Sequence, residues 1–418
     1  MQNDTYQRIF PTSRLKDQRI LVGITGGIAA YKTCELIRYL VTHGAEVRCM
    51  MTASAKEFIT ETTIESLCNH PVYSEMFPTG EFSATHHVHL ADWADVTMIV
   101  PATANMIGKI ANGIADDFLS TTCLALHTPV VIAPAMNANM WQNAAVQRNV
   151  SFLKENGCLI CGPEAGFLAE GYSGVGRLAR TDYLIQYLYK AMHPSRDSLA
   201  GKTVTVTAGR TEEAIDPVRM LTNRSTGKMG FALAWEAFAR GAMVHLVHGP
   251  GNLTAPIEVE TVPIRSAEDM YQAVKSVFPK TDILISAAAI ADYRPKSYAP
   301  GKLKKKDGDL SFQFERTRDV LKEMSQKKQA HQRLVGFAVE TDSPEANARK
   351  KLRAKKLDLI VLNNPLTEGA AFASETNRVT IFSENDQEEI ATAYKLDVAF
   401  EIFEKLAGLP AKAKGEGR

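Results

Sequence analysis

Residues 129–141 read PVVIAPAMNANMW, and the fold follows from how this stretch changes character midway. Its first five residues, PVVIA, are too apolar and β-branched to alternate, which is the pattern of a strand buried on both faces. The strand then runs into two asparagines, Asn137 and Asn139, set among Met136, Met140 and Trp141, where a surface turn ordinarily carries Gly, Ser or charge. Amides mixed with large soft apolar side chains, at the carboxyl end of a buried strand, suit a ligand that is half organic and half polar. On the motif alone, a satisfied turn capping the next helix accounts for it equally well.

The same grammar recurs upstream. Residues 19–24, RILVGI, make a short apolar strand that enters Thr25, Gly26 and Gly27, then a helical stretch over 28–44 closed by Gly44. Glycines there let backbone approach a ligand while N–H groups of the helix start face an anion, although any tight βα turn uses the same residues. A second strand, 46–51, ends in Thr52, Ala53 and Ser54, whose hydroxyls either complete a phosphate site or, as the safer reading, cap the following helix. A third, ADVTMIV at 94–100, ends in PATANM, which contains Thr103 and Asn105; GIADD at 113–117 leads into a helix over 118–126. Strands and helices alternate throughout, so the expected class is α/β, an open and mostly parallel sheet with its ligand beyond the carboxyl ends of the strands. The ends TGG, TAS, PATANM and PAMNANMW are small, hydroxylated or amide-bearing and none is basic. That set favours a flavin mononucleotide, with its phosphate on backbone and hydroxyls and its ring on a flat apolar bed.

Residues 83–92, SATHHVHLAD, hold three of the ten histidines. They lack the carboxylate or cysteine context of a metal site, so solvated loop histidines and a single histidine acting as base or carboxylate partner are the two readings. Residues 156–180 are glycine-rich around Phe167, Tyr172 and Arg177, which suggests a flap closing over substrate or an ordinary long loop. Cys158 and Cys161 form a CxxC without a second ligand pair and read as structural.

HPSRDSLAGK, 193–202, breaks the helical periodicity and places a domain boundary, giving 1–192 and 193–418. TVTVT at 203–207 opens a second series of strands and leads to NRSTGKMG before a helix over 231–240. Ser225, Thr226, Gly227, Lys228 and Gly230 there form an anion cradle with its own cation, at a spacing that is not that of a P-loop. ILISAAA at 283–289 leads to IADYRP and to a basic run, with Arg294, Lys296, Lys302, Lys304, Lys305 and Lys306. Such a run is usually a solvated face, yet it follows a strand end bearing Asp292, which suits a metal-bound triphosphate. VGFAVET at 335–341 and DLIVLNN at 358–364 supply further strands, and between them Lys351 and Lys355 share one face of a basic helix.

The composition of all 418 residues narrows the class. Lys plus Arg number 48 against 47 for Asp plus Glu, so bulk charge favours neither nucleic acid nor an anionic membrane. No apolar run approaches the roughly 18 residues of a membrane span and no signal-peptide core opens the chain, so the protein is expected in the cytoplasm. Six dispersed cysteines are expected to be reduced thiols.

With PATANM, PAMNANMW, TAGRTEEAIDPVRMLTNRSTGKMG, AAIADYRP, KLKK and VGFAVET in order, the chain resembles the bifunctional phosphopantothenoylcysteine decarboxylase/phosphopantothenate–cysteine ligase family of coenzyme A synthesis, over nearly its whole length. The resemblance implies two Rossmann-like three-layer α/β/α domains, the N-terminal one flavodoxin-like and flavin-binding. That half would hold FMN at Gly26, Gly27, Thr52, Ser54, Thr103, Asn105 and Met136, and oxidise the substrate's cysteine thiol so that the resulting thioaldehyde loses carbon dioxide. His87 matches the family's active-site histidine and Asn137 the asparagine that binds the substrate carboxylate. The C-terminal half would activate 4'-phosphopantothenate with CTP and Mg2+, and cysteine would displace CMP from the acyl-cytidylate. Lys302 matches the triphosphate-binding lysine, Asp292 a nucleotide or metal contact, Ser286, Ala287 and Ala288 the adjacent backbone site, Phe337, Lys351 and Lys355 further CTP positions, and Asn223 the contact to the acyl intermediate. Family members commonly carry a flap cysteine in the pattern ACGxxGxGR; here 169–177 read AEGYSGVGR and Glu170 takes its place. The expectation is that flap closure desolvates Glu170, raises its pKa and makes it the proton donor, with Cys161 or a reaction stopping at the enethiol as alternatives. A flavin-dependent peptidyl-cysteine decarboxylase and a flavin-binding regulatory subunit are rival readings that leave the second half unexplained. By the same resemblance the decarboxylase domains form trimers sharing each flavin site and the ligase domains dimers, a homo-oligomer that a dodecamer satisfies.

Overall fold

The computed structural model describes residues 12–77, 85–304, 310–339, 344–363 and 374–410, and divides into two compact units at Arg196/Asp197. Ser83, Lys305, Lys306, Glu340, Thr341, Asn364 and the tail 411–418, to which the sequence reading also appeals, lie outside the described residues.

In the first unit near-continuous apolar runs become strands β1 (Arg19–Ile24), β2 (Glu46–Met51), β3 (Val72–Tyr73), β4 (Val96–Ala102), β5 (Val130–Pro134) and β6 (Leu159–Ile160). Every residue of β4 and all of β1 after Arg19 are buried, as a sheet covered on both faces requires. The sheet is parallel throughout, in the order β3-β2-β1-β4-β5-β6. This is the doubly wound Rossmann order; setting aside the two-residue β3, the remainder runs in the flavodoxin-like order. Leu21, Ile99, Phe118, Leu119 and Ile132 pack the core beside it. The chain reverses direction across the sheet between β1 and β4, which puts the ligand crevice at their carboxyl ends.

Three local expectations change. The helix after Gly27 opens with a tight 3-10 turn, Ile28–Lys32, before the α-helix Thr33–Thr42, and Gly44 follows at φ +86°. The histidine stretch is no loop: His86–Trp93 is a helix. The glycine-rich segment is a hairpin of antiparallel β7 (Glu164–Phe167) and β8 (Ser173–Arg177).

The second unit carries β9 (Thr203–Ala208), β10 (Glu212–Ala214), β11 (Met220–Thr222), β12 (Met243–His248), β13 (Glu260–Pro263), β14 (Ile283–Ser286), β15 (Tyr293–Pro295), β16 (Phe314–Arg316), β17 (Arg333–Val339), β18 (Leu359–Asn363), β19 (Thr376–Phe382) and β20 (Gln387–Tyr394). Its main sheet runs β13-β12-β9-β14-β17-β18-β19-β20, the first six strands parallel and the last two antiparallel. Strands β10 with β11 and β15 with β16 form two small ribbons. Here the direction reverses between β9 and β14. A Cβ on Gly230 would lie 2.5 Å from Ala208 Cβ, so only glycine lets the helix Lys228–Ala239 close onto the end of β9.

Candidate active sites

In the first unit the ends of β1, β4 and β5 and the flap hairpin open on one cleft of about 510 Å³. Thr25, at 1% exposure, fastens two of those ends: its hydroxyl donates to Pro101 O (2.7 Å) and accepts from the Thr103 N–H (3.0 Å). A Cβ on Gly26 would fall 2.3 Å from Ser54 Cβ, so glycine alone lets the turn seat against that residue. Gly27 then starts a turn that no side chain caps, whereas Thr52 and Thr103 each cap the helix behind them.

The flap is seated on the PAMN loop by backbone. The Met136 N–H donates to Gly176 O (3.0 Å), and a Cβ on Gly176 would sit 2.1 Å from Met136 O. Closing the hairpin this way brings its tip to Asn137. The Asn137 amide donates to Glu170 Oε1 (2.9 Å) and to the Tyr172 hydroxyl (2.7 Å), and its oxygen accepts from the Asn139 N–H (2.8 Å), which makes it the N-cap of the helix Ala138–Gln142. The turn reading of the motif therefore holds, and the same loop lines the cleft. Glu170 corrects the sequence expectation: it is exposed, and the Asn137 amide holds its carboxyl below the usual carboxylate range, so in this state it is an ionised acceptor. The alternative donor Cys161 is fully buried and does not line the cleft.

Of the residues expected to form this site, Gly26, Gly27, Thr103, Met136, Asn137 and Glu170 line the cleft together. Thr52, Ser54, Asn105 and His87 are not among its lining residues. His87 lies half-buried on the helix His86–Trp93. Sequence reading missed Lys32, whose ammonium is pushed below its ordinary value by burial and by Arg177 across the same cleft. Its signal was a lone cation in the first turn after a glycine pair.

In the second unit the ends of β9 and β14 are knitted together. The N–H groups of Ala287 and Ala288, just past the end of β14, donate to Thr207 O and Thr207 Oγ1 (both 3.2 Å). This amends the expected backbone site: those two N–H groups are spent within the fold. Asn223 Nδ2 donates to Ala289 O (3.0 Å), the residue that follows the Ser286–Ala288 segment. Asp292 is exposed beyond them, its backbone carbonyl held by the Thr317 N–H (3.0 Å).

Lys302 is exposed, and its loop is fixed through Asp216, a carboxylate whose side chain has no exposed surface. Asp216 accepts from the N–H groups of Val218 and Arg219 (both 2.7 Å), from the Leu303 N–H (3.1 Å) and from Arg219 Nη1 (2.7 Å), while Arg219 Nη1 also donates to Leu303 O (3.1 Å). Burial alone would raise the Asp216 pKa; the backbone donors and Arg219 outweigh it and hold it low. Lys355 is paired with Asp319, the N-cap of Val320–Gln326, at 2.8 Å; Lys351 is an exposed residue one turn earlier, and Phe337 is half-buried on β17. No group of three or more His, Cys, Asp or Glu among the described residues is arranged to hold a metal ion, so Asp292 stands alone as a candidate contact.

Comparison with known proteins matches both units. Residues 10–193 fit the flavoprotein family and residues 199–409 the family described as DNA/pantothenate metabolism flavoprotein C-terminal domain. The coenzyme A biosynthesis bifunctional protein CoaBC of Bacillus subtilis (strain 168) is 47% identical over 96% of this chain and 99% of its own. That of Escherichia coli (strain K12) is 40% identical over 88% and 91%. Among solved structures, the C-terminal domain of a CoaBC protein is 40% identical, covering 50% of this chain and 96% of its own at a TM-score of 0.43. A PPC decarboxylase variant complexed with pantothenoylaminoethenethiol is 31% identical, covering 42% and 98% at 0.38. With homology spanning both units and almost every residue of each chain, the protein belongs to the family of coenzyme A biosynthesis bifunctional CoaBC proteins.

Proposed function

We propose that this chain joins cysteine to 4'-phosphopantothenate at the expense of CTP in its C-terminal unit, and decarboxylates the resulting 4'-phosphopantothenoylcysteine with FMN in its N-terminal unit, as a cytoplasmic homo-oligomer. The observation that carries it is the single cleft in which the Gly26–Gly27 turn, the Met136–Asn137 loop and the Glu170–Arg177 side of the flap face one space.

The residues present fit a flavin mononucleotide. An uncapped helix start after a glycine that tolerates no side chain suits an anionic phosphate, and Ile28, Met136, Met140 and Phe167 give the ring apolar cover. When bound, the flavin supplies the oxidation of the substrate thiol that makes the carbon skeleton an electron sink. The protein's own part is to hold the departing carboxylate weakly: the Asn137 amide orients it without the bidentate cation that would resist its loss. His87 completes this site from a neighbouring subunit, which accounts for its lying outside the cleft of its own chain. Glu170 delivers the closing proton, taken up from solvent, while it is away from Asn137, because losing that amide removes what holds its pKa down. If Glu170→Gln still yields fully reduced 4'-phosphopantetheine at an unchanged rate by mass analysis, the donor assignment is wrong.

In the second unit, Lys302 on its anchored loop takes the triphosphate and Asp292 meets its Mg2+, a mode of binding in which the metal keeps its phosphate ligands and needs few from the protein. Phe337, Lys351 and Lys355 complete the CTP side. Asn223, a neutral amide, steadies the acyl-cytidylate oxygen without competing for the metal. Incubation with CTP, Mg2+, 4'-phosphopantothenate and cysteine is expected to release pyrophosphate and then carbon dioxide; absence of pyrophosphate from a folded, yellow preparation overturns the reading.

A further inference from the structure

The amide of Asn137 has no vacant donor. One N–H is spent on Glu170, the other on Tyr172, and its oxygen is taken by the Asn139 N–H. A ligand that uses this amide must displace a flap side chain. The two candidates differ in kind. Tyr172 brings a neutral hydroxyl, whereas Glu170 brings an ionised carboxylate, the same chemical group that the decarboxylase reading asks Asn137 to hold on the substrate. The base of the hairpin meanwhile stays fastened through the Met136 N–H to Gly176 O, so the tip can release Glu170 without the flap leaving its seat.

We propose that Glu170 is an internal surrogate for the substrate carboxylate: it occupies Asn137 in the free enzyme, yields to a ligand that carries a carboxylate, and returns only after that group has left as carbon dioxide and the closing proton has been delivered. The inference rests on the decarboxylase reading and adds a selectivity to it. A substrate acid can compete with Glu170 for the amide, while the decarboxylated product has nothing to compete with, so the latch discriminates against product at the step of release. Physically this is a difference of affinities set by one intramolecular competitor, which takes from every acid ligand the free energy of its own charge-assisted hydrogen bond. Lys32 and Arg177 line the same cleft, so an incoming anion is not opposed by Glu170 alone.

The test uses the flavin-loaded full chain and two ligands that the enzyme cannot oxidise at sulfur: 4'-phosphopantothenoylserine, with a hydroxyl for the thiol, and the corresponding ethanolamine amide, which lacks only the carboxylate. Binding is read from the perturbation of the flavin absorbance, which reports this site and not the CTP site. Glu170→Ala is expected to bind the serine analogue roughly tenfold more tightly than the wild type and the ethanolamine analogue equally well. Glu170→Gln, which keeps an acceptor oxygen without the charge, falls between the two. Unchanged or weaker binding of the acid in Glu170→Ala overturns the surrogate role, and so does an equal shift for both ligands, which is what a merely disordered flap produces. If neither ligand perturbs the wild-type flavin, the decarboxylase reading fails and the inference with it.

Discussion

Gly176 and Asp216 show what single residues contribute to sites they do not themselves form. At Gly176 the flap backbone passes so close to the PAMN loop that an added Cβ would meet Met136 O at 2.1 Å, and backbone cannot yield as a side-chain end does. Gly176→Ala is therefore expected to unseat the hairpin, lowering stability by about 1–3 kcal/mol and abolishing carbon dioxide release while pyrophosphate release continues. A thermal melt together with the two product assays checks it. Asp216 acts on the other site at a distance, because its bonds to the Leu303 N–H and, through Arg219, to Leu303 O set where Lys302 stands. Asp216→Asn turns an acceptor of four donors into a group with an N–H of its own; KM for CTP is expected to rise roughly ten- to a hundredfold with decarboxylation of supplied 4'-phosphopantothenoylcysteine unaffected. The same carboxylate carries a pH signature. Its folded-state pKa is held low, so the stability it gives the loop is present above the ordinary carboxylate range and is lost as pH falls through the lowered value. Faster amide exchange at Leu303 on acidification, absent in Asp216→Asn, is the expected reading. What was legible at this scale was chemical type: Asn137 stands out among methionines. Its partner Glu170 is 33 residues away on a hairpin whose path only the fold reveals, and so the sign of the Glu170 pKa shift came out opposite to expectation.

Elements were legible where burial writes a continuous apolar run. RILVGI and VVIA are strands because a parallel sheet covered on both faces writes a near-continuous apolar run. The antiparallel edge was not legible: β20 is mostly exposed along its length, and its polar run QEEIATAY gives no core signal. Nor was the helix His86–Trp93, in which only Leu90 and Ala91 are buried, so the apolar stripe that marks a helix is nearly absent. The helices Lys228–Ala239 and Lys395–Ala407 are joined by a group that only the structure exposes. Arg240, at 1% exposure, donates to Glu236 Oε1 and Glu404 Oε1, each at 2.7 Å, with the rings of Phe400 and Phe403 at 5.1 and 5.5 Å. Buried ion pairs are costly to break by halves, since the remaining charge regains no water, and without Glu236 the buried Arg240 keeps Glu404 alone. Glu236→Ala is accordingly expected to destabilise this unit by about 3–5 kcal/mol, whereas the paired change Glu236→Leu with Arg240→Met costs far less. Urea unfolding followed in the second unit separates the two outcomes.

At the scale of the whole molecule the two units take different parts of the problem. The net charge of +1 recruits no polyanion, and no helix among the described residues is long and apolar enough to cross a membrane. Each unit brings its expected asparagine beside strand-end residues within one chain, but the first leaves His87 outside the cleft that holds Asn137. The sequence names both residues but cannot say whether they belong to the same copy. If the flavin site is shared between subunits, His87→Gln and Asn137→Ala are each inactive in decarboxylation alone, yet a co-expressed mixture is not. Each site then draws its histidine from one chain and its asparagine from another, and random assembly of equal amounts leaves both intact in about a quarter of the sites. Carbon dioxide release near that fraction of the wild-type rate is the expected result, with pyrophosphate release normal in all three preparations as proof that the chains are folded. A mixture as inactive as its components would mean that His87 reaches Asn137 within its own chain, whereas a fully active His87→Gln preparation would mean that His87 takes no part in the reaction.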